Sequence, residues 1–387
     1  MSALLHAVLL FSAAAAGLSL VSLATNLLVL PRLSRAPLPE GPMPPVSILV
    51  PARDEERAVA EAVRSLLAQD YPAFEVVAVD DRSTDRTGEI LRDLAVSNPR
   101  LRVIRGEEPP PGWLGKPHAL WQAARAARGE IFLFVDADVR YHPPALREAV
   151  GFLEARELDF LALFPRLEAF GFWENVLMAY LPVSVFFGPG WLAQSSRTRW
   201  IAAGGGAGNL VRRRTYEAVG GHAALKDSVI DDIRLARTIK RAGFPVALAR
   251  AEDRLAVRMY RGFREVWDGF TKNIAYGFTG AFGLLLAWMT VATSLAMTVP
   301  WIVLFAAAWG APVPGGDLFL AASAAAGYLF ARLLLAAALG DPLWPALTNP
   351  LMAVVWVALI ARSLFRRFIR RRLLWRGREF DAREARF

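Results

Sequence analysis

Residues 46–56 read VSILVPARDEE, an apolar stretch of strand length that stops abruptly at charged side chains. The same change occurs along residues 74–85, FEVVAVDDRSTD, and along residues 131–138, IFLFVDAD. Amphipathic helical patterns separate these stretches, and the alternation continues to about residue 164. Continuous apolar strands that alternate with helices predict a mostly parallel sheet covered on both faces.

The acidic residues that follow these strands are the first candidates for a functional site, because ligands of such sheets bind beyond the carboxyl ends of the strands. A single acidic residue there could simply be a helix cap, and a lone Asp-x-Asp is common by chance. Acidic residues after three strands instead favour a nucleoside diphosphate with a divalent cation, since Mg²⁺ is held by carboxylates and phosphates. Neither a P-loop nor a Gly-x-Gly-x-x-Gly sequence follows the first strand, which disfavours those nucleotide sites.

The composition points to a membrane protein. Of the 387 residues, 55% are hydrophobic and 21% are charged, and the mean hydropathy of +0.31 is too apolar for a soluble chain of this size. These values exclude a disordered or collagen-like chain. The absence of cysteine excludes a disulfide framework and a thiolate metal site.

Four apolar stretches are candidates for contact with the membrane. Residues 2–30 contain no Asp, Glu, Lys or Arg and precede Arg32 and Arg35, which predicts an anchor whose N-terminus lies outside. The others are residues 276–309, 318–340 and 342–361.

The net charge of +9 is concentrated in part in an arginine-rich tail after residue 361. Such a tail could bind nucleic acid, but next to a membrane segment it favours a cytoplasmic position in contact with anionic lipid. Three simple crossings after a cytoplasmic domain would leave it outside. We therefore expect a hairpin or re-entrant element around Pro300, or a later segment that does not cross fully.

These patterns predict a multi-pass protein of the inner membrane with a cytoplasmic catalytic domain. Residues 173–192 are apolar and aromatic but contain Pro182 and Pro189, so we interpret them as a membrane-apposed lid, with ordinary domain core as the alternative. The predicted order is an anchor at 1–31, a linker at 32–45, the catalytic domain at 46–260, an interfacial amphipathic helix at 261–278, transmembrane helices at 279–365 and a basic cytoplasmic tail at 366–387.

Several motifs in this order resemble family 2 glycosyltransferases with the GT-A fold. Residues 46–56, 65–72 and 79–85 are similar to the opening of that family, and residues 136–138 stand where it has its metal-binding Asp-x-Asp. Further on, residues 220–222, GGH, and 230–236, IDDIRLA, resemble its Gly-Gly-His and Glu-Asp motifs. The resemblance covers about residues 46–265. The anchor, the apolar block and the closing residues 374–380, LWRGREF, are similar to membrane-bound members that glycosylate lipids, including ceramide and carotenoid types.

The resemblance also implies roles for individual residues. It places the nucleotide sugar on Pro51, Arg53, Glu55, Asp81, Ser83 and Asp136, with Asp81 reading the nucleobase. It assigns Mg²⁺ or Mn²⁺ to Asp138 and the general base to Asp232, beside Asp231 in place of the usual Glu. It offers Arg258 and Arg261 for the acceptor or the diphosphate, and we add Trp267 of the following amphipathic helix. Lys116 lies in a Gly- and Trp-containing loop and is a candidate for phosphate or sugar, with an ordinary surface lysine as the equal alternative.

The leading hypothesis is an inverting, metal-dependent enzyme that moves a hexose from a nucleotide sugar, expected to be a UDP-sugar, to a membrane lipid such as a carotenoid or a ceramide-like acceptor. A polysaccharide synthase-translocase is disfavoured, because residues 258–262, RMYRG, lack the tryptophan of its Gln/Arg-x-x-Arg-Trp motif. A lipid nucleotidyltransferase would need a Gly-rich, Arg-containing loop after the first strand. A non-catalytic membrane protein that binds nucleotide sugars is the fourth alternative, and no nucleic-acid partner is expected.

Overall fold

The computed structural model describes residues 3–37, 41, 43–194, 198–199, 201–277, 280–366, 372–375 and 378–381. Parts of the predicted linker, most of the predicted basic tail and two residues of the closing LWRGREF motif lie outside the described residues. The chain forms two compact units. We call Leu30–Glu168 with Leu192–Met259 the α/β unit, and Met1–Val29, Ala169–Trp191 and Tyr260–Ala382 the helical unit.

The helices and strands are numbered along the chain. The helices are α1 (Ala3–Val29), α2 (Val59–Leu67), α3 (Thr87–Ser97), α4 (Gly115–Ala126), α5 (Ala145–Ala155), α6 (Phe172–Met178), α7 (Tyr180–Phe186), α8 (Arg213–Ala218), α9 (Asp231–Arg241), α10 (Gly262–Gly277), α11 (Gly280–Ala308), α12 (Gly315–Leu339) and α13 (Asn349–Phe365). The strands are β1 (Val46–Ala52), β2 (Phe74–Asp80), β3 (Leu101–Arg105), β4 (Ile131–Phe134), β5 (Val139–Tyr141), β6 (Phe160–Phe164), β7 (Arg166–Leu167), β8 (Asn209–Arg212), β9 (Val246–Arg250), β10 (Leu255–Val257), β11 (Arg372–Trp375) and β12 (Arg378–Asp381).

The predicted mostly parallel sheet is confirmed in the α/β unit. Its seven strands follow the order β3-β2-β1-β4-β8-β6-β9, and β1 pairs in parallel with both β2 and β4. The interior strands are buried on both faces, which explains why they read as continuous rather than alternating apolar runs. The carboxyl ends of β1, β2 and β4 therefore meet at one edge, as the acidic residues after them require.

One strand of this sheet runs against the others. β8 is antiparallel to β4 on one side and to β6 on the other. Sequence patterns did not predict it, because four residues bounded by Asn209 and Arg212 give no readable periodicity. The segment Val229-Ile230, which leads into α9, forms a bend.

The helical unit contains helices long and apolar enough to cross a membrane. Among the described residues, four segments meet that condition: Ala3–Val29, Trp288–Ala308, Gly315–Leu339 and Trp344–Phe365. The expected hairpin around Pro300 is wrong, because Pro300 lies inside the single helix α11. A proline removes one N–H from the helix ladder, and apolar helices tolerate this where neighbouring groups compensate. The other explanation offered for a cytoplasmic tail, that one of the later apolar segments does not cross the membrane fully, stays a prediction.

The segment predicted as a lid forms the short helices α6 and α7 and groups with the helical unit, so residues 169–191 interrupt the predicted domain 46–260. Trp356 of α13 donates its indole N–H to the carbonyl of Leu177 at 3.2 Å and stacks on Tyr180. The segment is therefore not part of the sheet's core. Its apposition to the membrane stays a prediction.

Helix α10 occupies the stretch predicted as amphipathic, and its faces differ as expected. Val266, Phe270 and Ile274 are buried, whereas Arg264 and Asp268 are exposed. This spacing gives one apolar stripe and one charged face. Its position at a membrane interface stays a prediction.

We expect Leu210→Ala, in the centre of β8, to lower the free energy of unfolding by about 2–5 kcal/mol, because the fully buried side chain leaves a cavity between three strands. Val96→Ala is the matched control, since that side chain is 91% exposed and should change stability by less than about 0.5 kcal/mol. Urea titration of the detergent-purified protein measures both. Equal stability of the two variants would contradict the placement of β8.

Candidate active site

A partly open recess of ≈ 260 Å³ lies at the carboxyl end of β4. It combines one lysine and three aspartates with apolar walls. Its lining residues are Lys116, Leu120, Phe134, Val135, Asp136, Gly206, Asn209, His222, Asp231, Asp232 and Leu235. Four of the predicted site residues, Lys116, Asp136, Asp231 and Asp232, thus meet in one place although they are up to 116 positions apart in the sequence.

Lys116 is the cation of this cluster. It begins α4, after a loop fixed by the hydrogen bond from the Leu114 N–H to the carbonyl of Lys226 at 2.7 Å. Its Nζ lies 2.6 Å from Oδ1 of Asp136 and 3.9 Å from Oδ1 of Asp231. The interpretation of Lys116 as an ordinary surface lysine is therefore wrong.

The charges in the recess shift one another's pKa values. Burial alone would lower the pKa of Lys116, but Asp136, Asp231 and Asp232 outweigh it and raise that pKa. Burial acts to raise the pKa of Asp231, yet Lys116 and His222 hold it below its usual value. For Asp232, burial and the negative charge of Asp231 raise the pKa to about 6. The pKa values of these two neighbouring residues are thus shifted in opposite directions. Asp231 is kept ionised, whereas Asp232 is able to exchange a proton near neutrality.

Asp138 lies two residues beyond Asp136, and other carboxylates surround it. Burial, followed by the carboxylates of Asp136 and Glu55, raises the pKa of Asp138 to about 7. A divalent cation would remove this cost, since hard cations prefer carboxylate oxygens. Among the described residues no three His, Asp or Glu side chains converge as a ready-made metal site.

The loops after β1 and β2 form a second group of predicted residues. The Asp54 N–H donates to Oγ of Ser83 at 3.1 Å, and the Thr84 N–H donates to the Asp54 carboxylate at 2.7 Å. Asp81 is buried beside two guanidinium groups, with Arg82 at 3.0 Å and Arg53 at 3.6 Å. Nε of Arg53 is buried without a hydrogen-bond partner among the described residues.

The predictions missed a glycine-rich turn that completes the recess. A Cβ on Gly206 would collide with the Asp136 carboxylate, and one on Gly204 would collide with the backbone carbonyl of Asp232. The Asp136 N–H donates to the carbonyl of Gly206 at 2.7 Å, which ties this turn to the end of β4. The run AAGGGAGN at residues 202–209 was the available signal, since glycine marks places where backbone approaches closely.

Three further predicted residues lie neither in the recess nor in the loops after β1, β2 and β4. Arg258 follows β10 in the α/β unit and is half-buried. Arg261 and Trp267 belong to the helical unit. The ring of Trp267 stacks on Phe263, and the guanidinium of Arg362 lies 5.3 Å from its centroid. Their roles towards an acceptor or a diphosphate stay predictions.

Comparison with known families and sequences agrees with the motifs. Residues 47–218 match the model described as glycosyl transferase family 2. The chain is 25% identical over 251 residues to a 4,4'-diaponeurosporenoate glycosyltransferase of Staphylococcus haemolyticus, covering 63% of this chain and 66% of that one. It is 30% identical over 266 residues to a beta-monoglucosyldiacylglycerol synthase of Nostoc sp., covering 60% and 53% respectively. The matched region thus spans between about half and two thirds of the length of these relatives.

Comparison of structures gives the same fold. The chain is similar to a mannosyltransferase from Pyrobaculum calidifontis solved in complex with GDP-Man and Mn²⁺, with a TM-score of 0.52 and 21% identity. The likeness covers 93% of this chain and 96% of that one. The GT-A fold that the motifs predicted is confirmed.

We expect Lys116→Met to lower the free energy of unfolding by about 1–3 kcal/mol, because it leaves the recess carboxylates without their cation. Lys226→Met is the matched control, since Lys226 is exposed and its change should stay within about 0.5 kcal/mol. Both are measured by urea titration in detergent. A Lys116→Met variant as stable as the control would show that the ammonium does not neutralise this cluster.

Proposed function

The chain carries a glycosyltransferase family 2 domain at residues 47–218, and on that premise we propose that it transfers a hexose from a nucleotide sugar to a membrane lipid. The donor is a UDP-sugar, the acceptor group is a lipid hydroxyl or carboxyl, and the transfer inverts the anomeric centre. The observation that carries the proposal is the recess in which one ammonium lies among three carboxylates, two of which, Asp231 and Asp232, have pKa values shifted in opposite directions. Such separation is the usual signature of acid–base assignments in an active site.

A lipid acceptor is supported by two independent features. The relatives named above are, by their names, a diaponeurosporenoate glycosyltransferase and a glucosyldiacylglycerol synthase, and both names state an apolar acceptor. This chain also has apolar helices long enough to span a bilayer. An enzyme anchored in this way meets its acceptor within the membrane, where an apolar lipid is concentrated.

The donor is assigned to the loops after β1, β2 and β4. Asp81 would accept from the nucleobase, and the guanidinium of Arg53 beside it would donate to the nucleotide. Lys116 is positioned to donate to the diphosphate or sugar once the ligand competes for its contact with Asp136. The Pyrobaculum mannosyltransferase of the same fold was solved with GDP-Man, which supports a nucleotide sugar as the donor.

The metal is assigned to Asp138, with the donor phosphates as further ligands. The repulsion from Asp136 and Glu55 that raises the pKa of Asp138 supports a cation there. When bound, Mg²⁺ or Mn²⁺ would stabilise the negative charge on the departing nucleoside diphosphate.

The remaining chemistry is done by side chains. As the acceptor hydroxyl oxygen bonds to the anomeric carbon from the face opposite the diphosphate, its proton passes to the Asp232 carboxylate, and the bond to the nucleoside diphosphate breaks. Asp231 stays ionised beside His222 and Lys116, and it keeps the pKa of Asp232 high enough to make that carboxylate an effective base. The apolar side chains of Leu120 and Leu235 limit water in the recess.

The test is transfer by the purified protein in detergent with Mn²⁺, a panel of radiolabelled nucleotide sugars and extracted membrane lipids, with lipid products separated by chromatography. We expect one nucleotide sugar to label one lipid class. EDTA should abolish the transfer reversibly, and Asp138→Asn should reduce it at least about 100-fold, because the leaving group loses its charge stabilisation. Full activity without metal would contradict the assignment of Asp138. No labelled lipid with any donor would contradict the proposed function.

Loss of the base has a separate signature. Asp232→Asn should lower kcat about 10²–10⁴-fold for a hydroxyl acceptor, while donor affinity, measured by calorimetry, stays within a few-fold. In the wild type, Asp232 must be ionised to accept the proton, so kcat/KM should fall about tenfold per pH unit below pH 6 and level off above it. Asp93→Asn, at an exposed position of α3, is the matched control. If Asp232→Asn kept more than a tenth of the turnover, the base would lie elsewhere, and Asp231 would be tested next.

A further inference from the structure

The Gly-Gly-His motif at residues 220–222 enters the mechanism above only through the charge beside Asp231, yet its backbone is unusual. Gly220 has φ +81° and Gly221 has φ +52°, both in the left-handed region that favours glycine. A Cβ on Gly221 would collide with the ring of Tyr216. The two glycines therefore allow the chain to turn back under that ring and bring His222 against it.

The hydrogen bonds of His222 define which of its ring nitrogens carries the proton. The His222 backbone N–H donates to the hydroxyl oxygen of Tyr216 at 3.0 Å, and that oxygen lies 2.9 Å from Nδ1. On the other side of the ring, Nε2 faces Oδ2 of Asp231 at 3.5 Å. A carboxylate only accepts, so Nε2 carries the hydrogen and Nδ1 accepts the Tyr216 O–H. Every donor in this arrangement then has an acceptor.

The group is enclosed, so this geometry is rigid. His222 is 1% exposed, Asp231 is 3% exposed and Tyr216 is 6% exposed. The ring of Phe134, from β4, packs edge-on against His222 at 4.8 Å and lies 5.4 Å from the ring of Tyr216. With no water to compete, rotation of the imidazole would leave a buried polar atom unpaired, which is costly.

Asp231 joins this buried group to the recess. One of its oxygens faces His222, and the other lies 3.9 Å from the ammonium of Lys116. The next residue, Asp232, is the proposed base, and its N-terminal place in α9 is fixed by the same backbone. Asp231 therefore lies within ion-pair distance of the cation of the recess and directly precedes the proposed base.

We propose that Tyr216 and His222 are positioning residues that fix the Asp231 carboxylate and, through it, align Lys116 and Asp232 for transfer. Neither side chain touches substrate in this role. The proposal rests on the proposed function for its kinetic consequences, but the hydrogen-bonded tautomer of His222 stands independently of them. Supporting groups of this kind around metal sites change activity about 10–100-fold when removed.

The kinetic test compares two tyrosine variants with the same chemical change. Tyr216→Phe removes the hydroxyl beside His222, whereas Tyr71→Phe removes the hydroxyl of another buried tyrosine, which donates to the carbonyl of Pro44 outside the recess. We expect Tyr216→Phe to lower kcat about 10-fold or more with the KM for the nucleotide sugar within about threefold, and Tyr71→Phe to leave both unchanged. Equal kinetics for the two variants would overturn the proposal.

Substitution of the histidine adds a test by partial rescue. His222→Leu should lower kcat about 10–100-fold, and His222→Gln should retain more activity, because its amide nitrogen can still donate to Asp231. His142→Gln, at an exposed histidine, is the control. If His222→Gln and His222→Leu lose activity equally while both remain folded by thermal unfolding, orientation of Asp231 is not the role of His222.

A spectroscopic test separates this inference from the proposed function. The chain has only four histidines, so ¹⁵N-histidine labelling gives few signals, and that of His222 is the one missing in His222→Gln. We expect the wild type to show Nε2 protonated and Nδ1 as an acceptor, and Tyr216→Phe to move the Nδ1 signal. A wild-type His222 protonated at Nδ1 alone would overturn the inference even if lipid glycosylation were demonstrated. The expected tautomer would stand even if no transfer were found.

Discussion

Three carboxylates share one ammonium in a recess with apolar walls, and the rest of the catalytic architecture follows from this shortage of positive charge. In such surroundings the Coulomb energy between charges 3–4 Å apart is several times its value in water. The pKa values of Asp231 and Asp232 are therefore shifted in opposite directions. Lys116 and His222 hold the pKa of Asp231 below its usual value, whereas burial and the negative charge of Asp231 raise the pKa of Asp232. The proposed nucleotide sugar and its cation would enter a site in which the charges of Lys116 and the carboxylates already offset one another in part.

Much of this could be predicted from the sequence, for a physical reason. β1, β2 and β4 are buried on both faces, so they read as uninterrupted apolar runs, and the acidic residues mark where each strand leaves the core. Parallel pairing then brings those ends together without further information. The start of α9 at Asp231 also follows a local rule, because acidic residues suit the N-terminus of a helix.

The missed features depend on contacts between distant residues. β8 is short and is stabilised by pairing with β4 and β6. Pairing between distant segments leaves no local pattern in the sequence. The contact between Lys116 and Asp136 joins a helix start to a strand end, and only the folded chain decides which of four lysines makes it. Pro300 was overinterpreted as a break, although a long apolar helix absorbs one missing hydrogen bond.

The glycine turn at residues 204–206 also limits which substitutions the recess can accept. A methyl group on Gly206 would collide with Asp136, and one on Gly204 would collide with the backbone of Asp232, so neither position accepts a larger residue. Leu120 and Leu235 line the same recess with apolar side chains and can be resized without touching a charged group. Variation in the size of the recess is therefore confined to the apolar wall, whereas the two glycines must stay as they are.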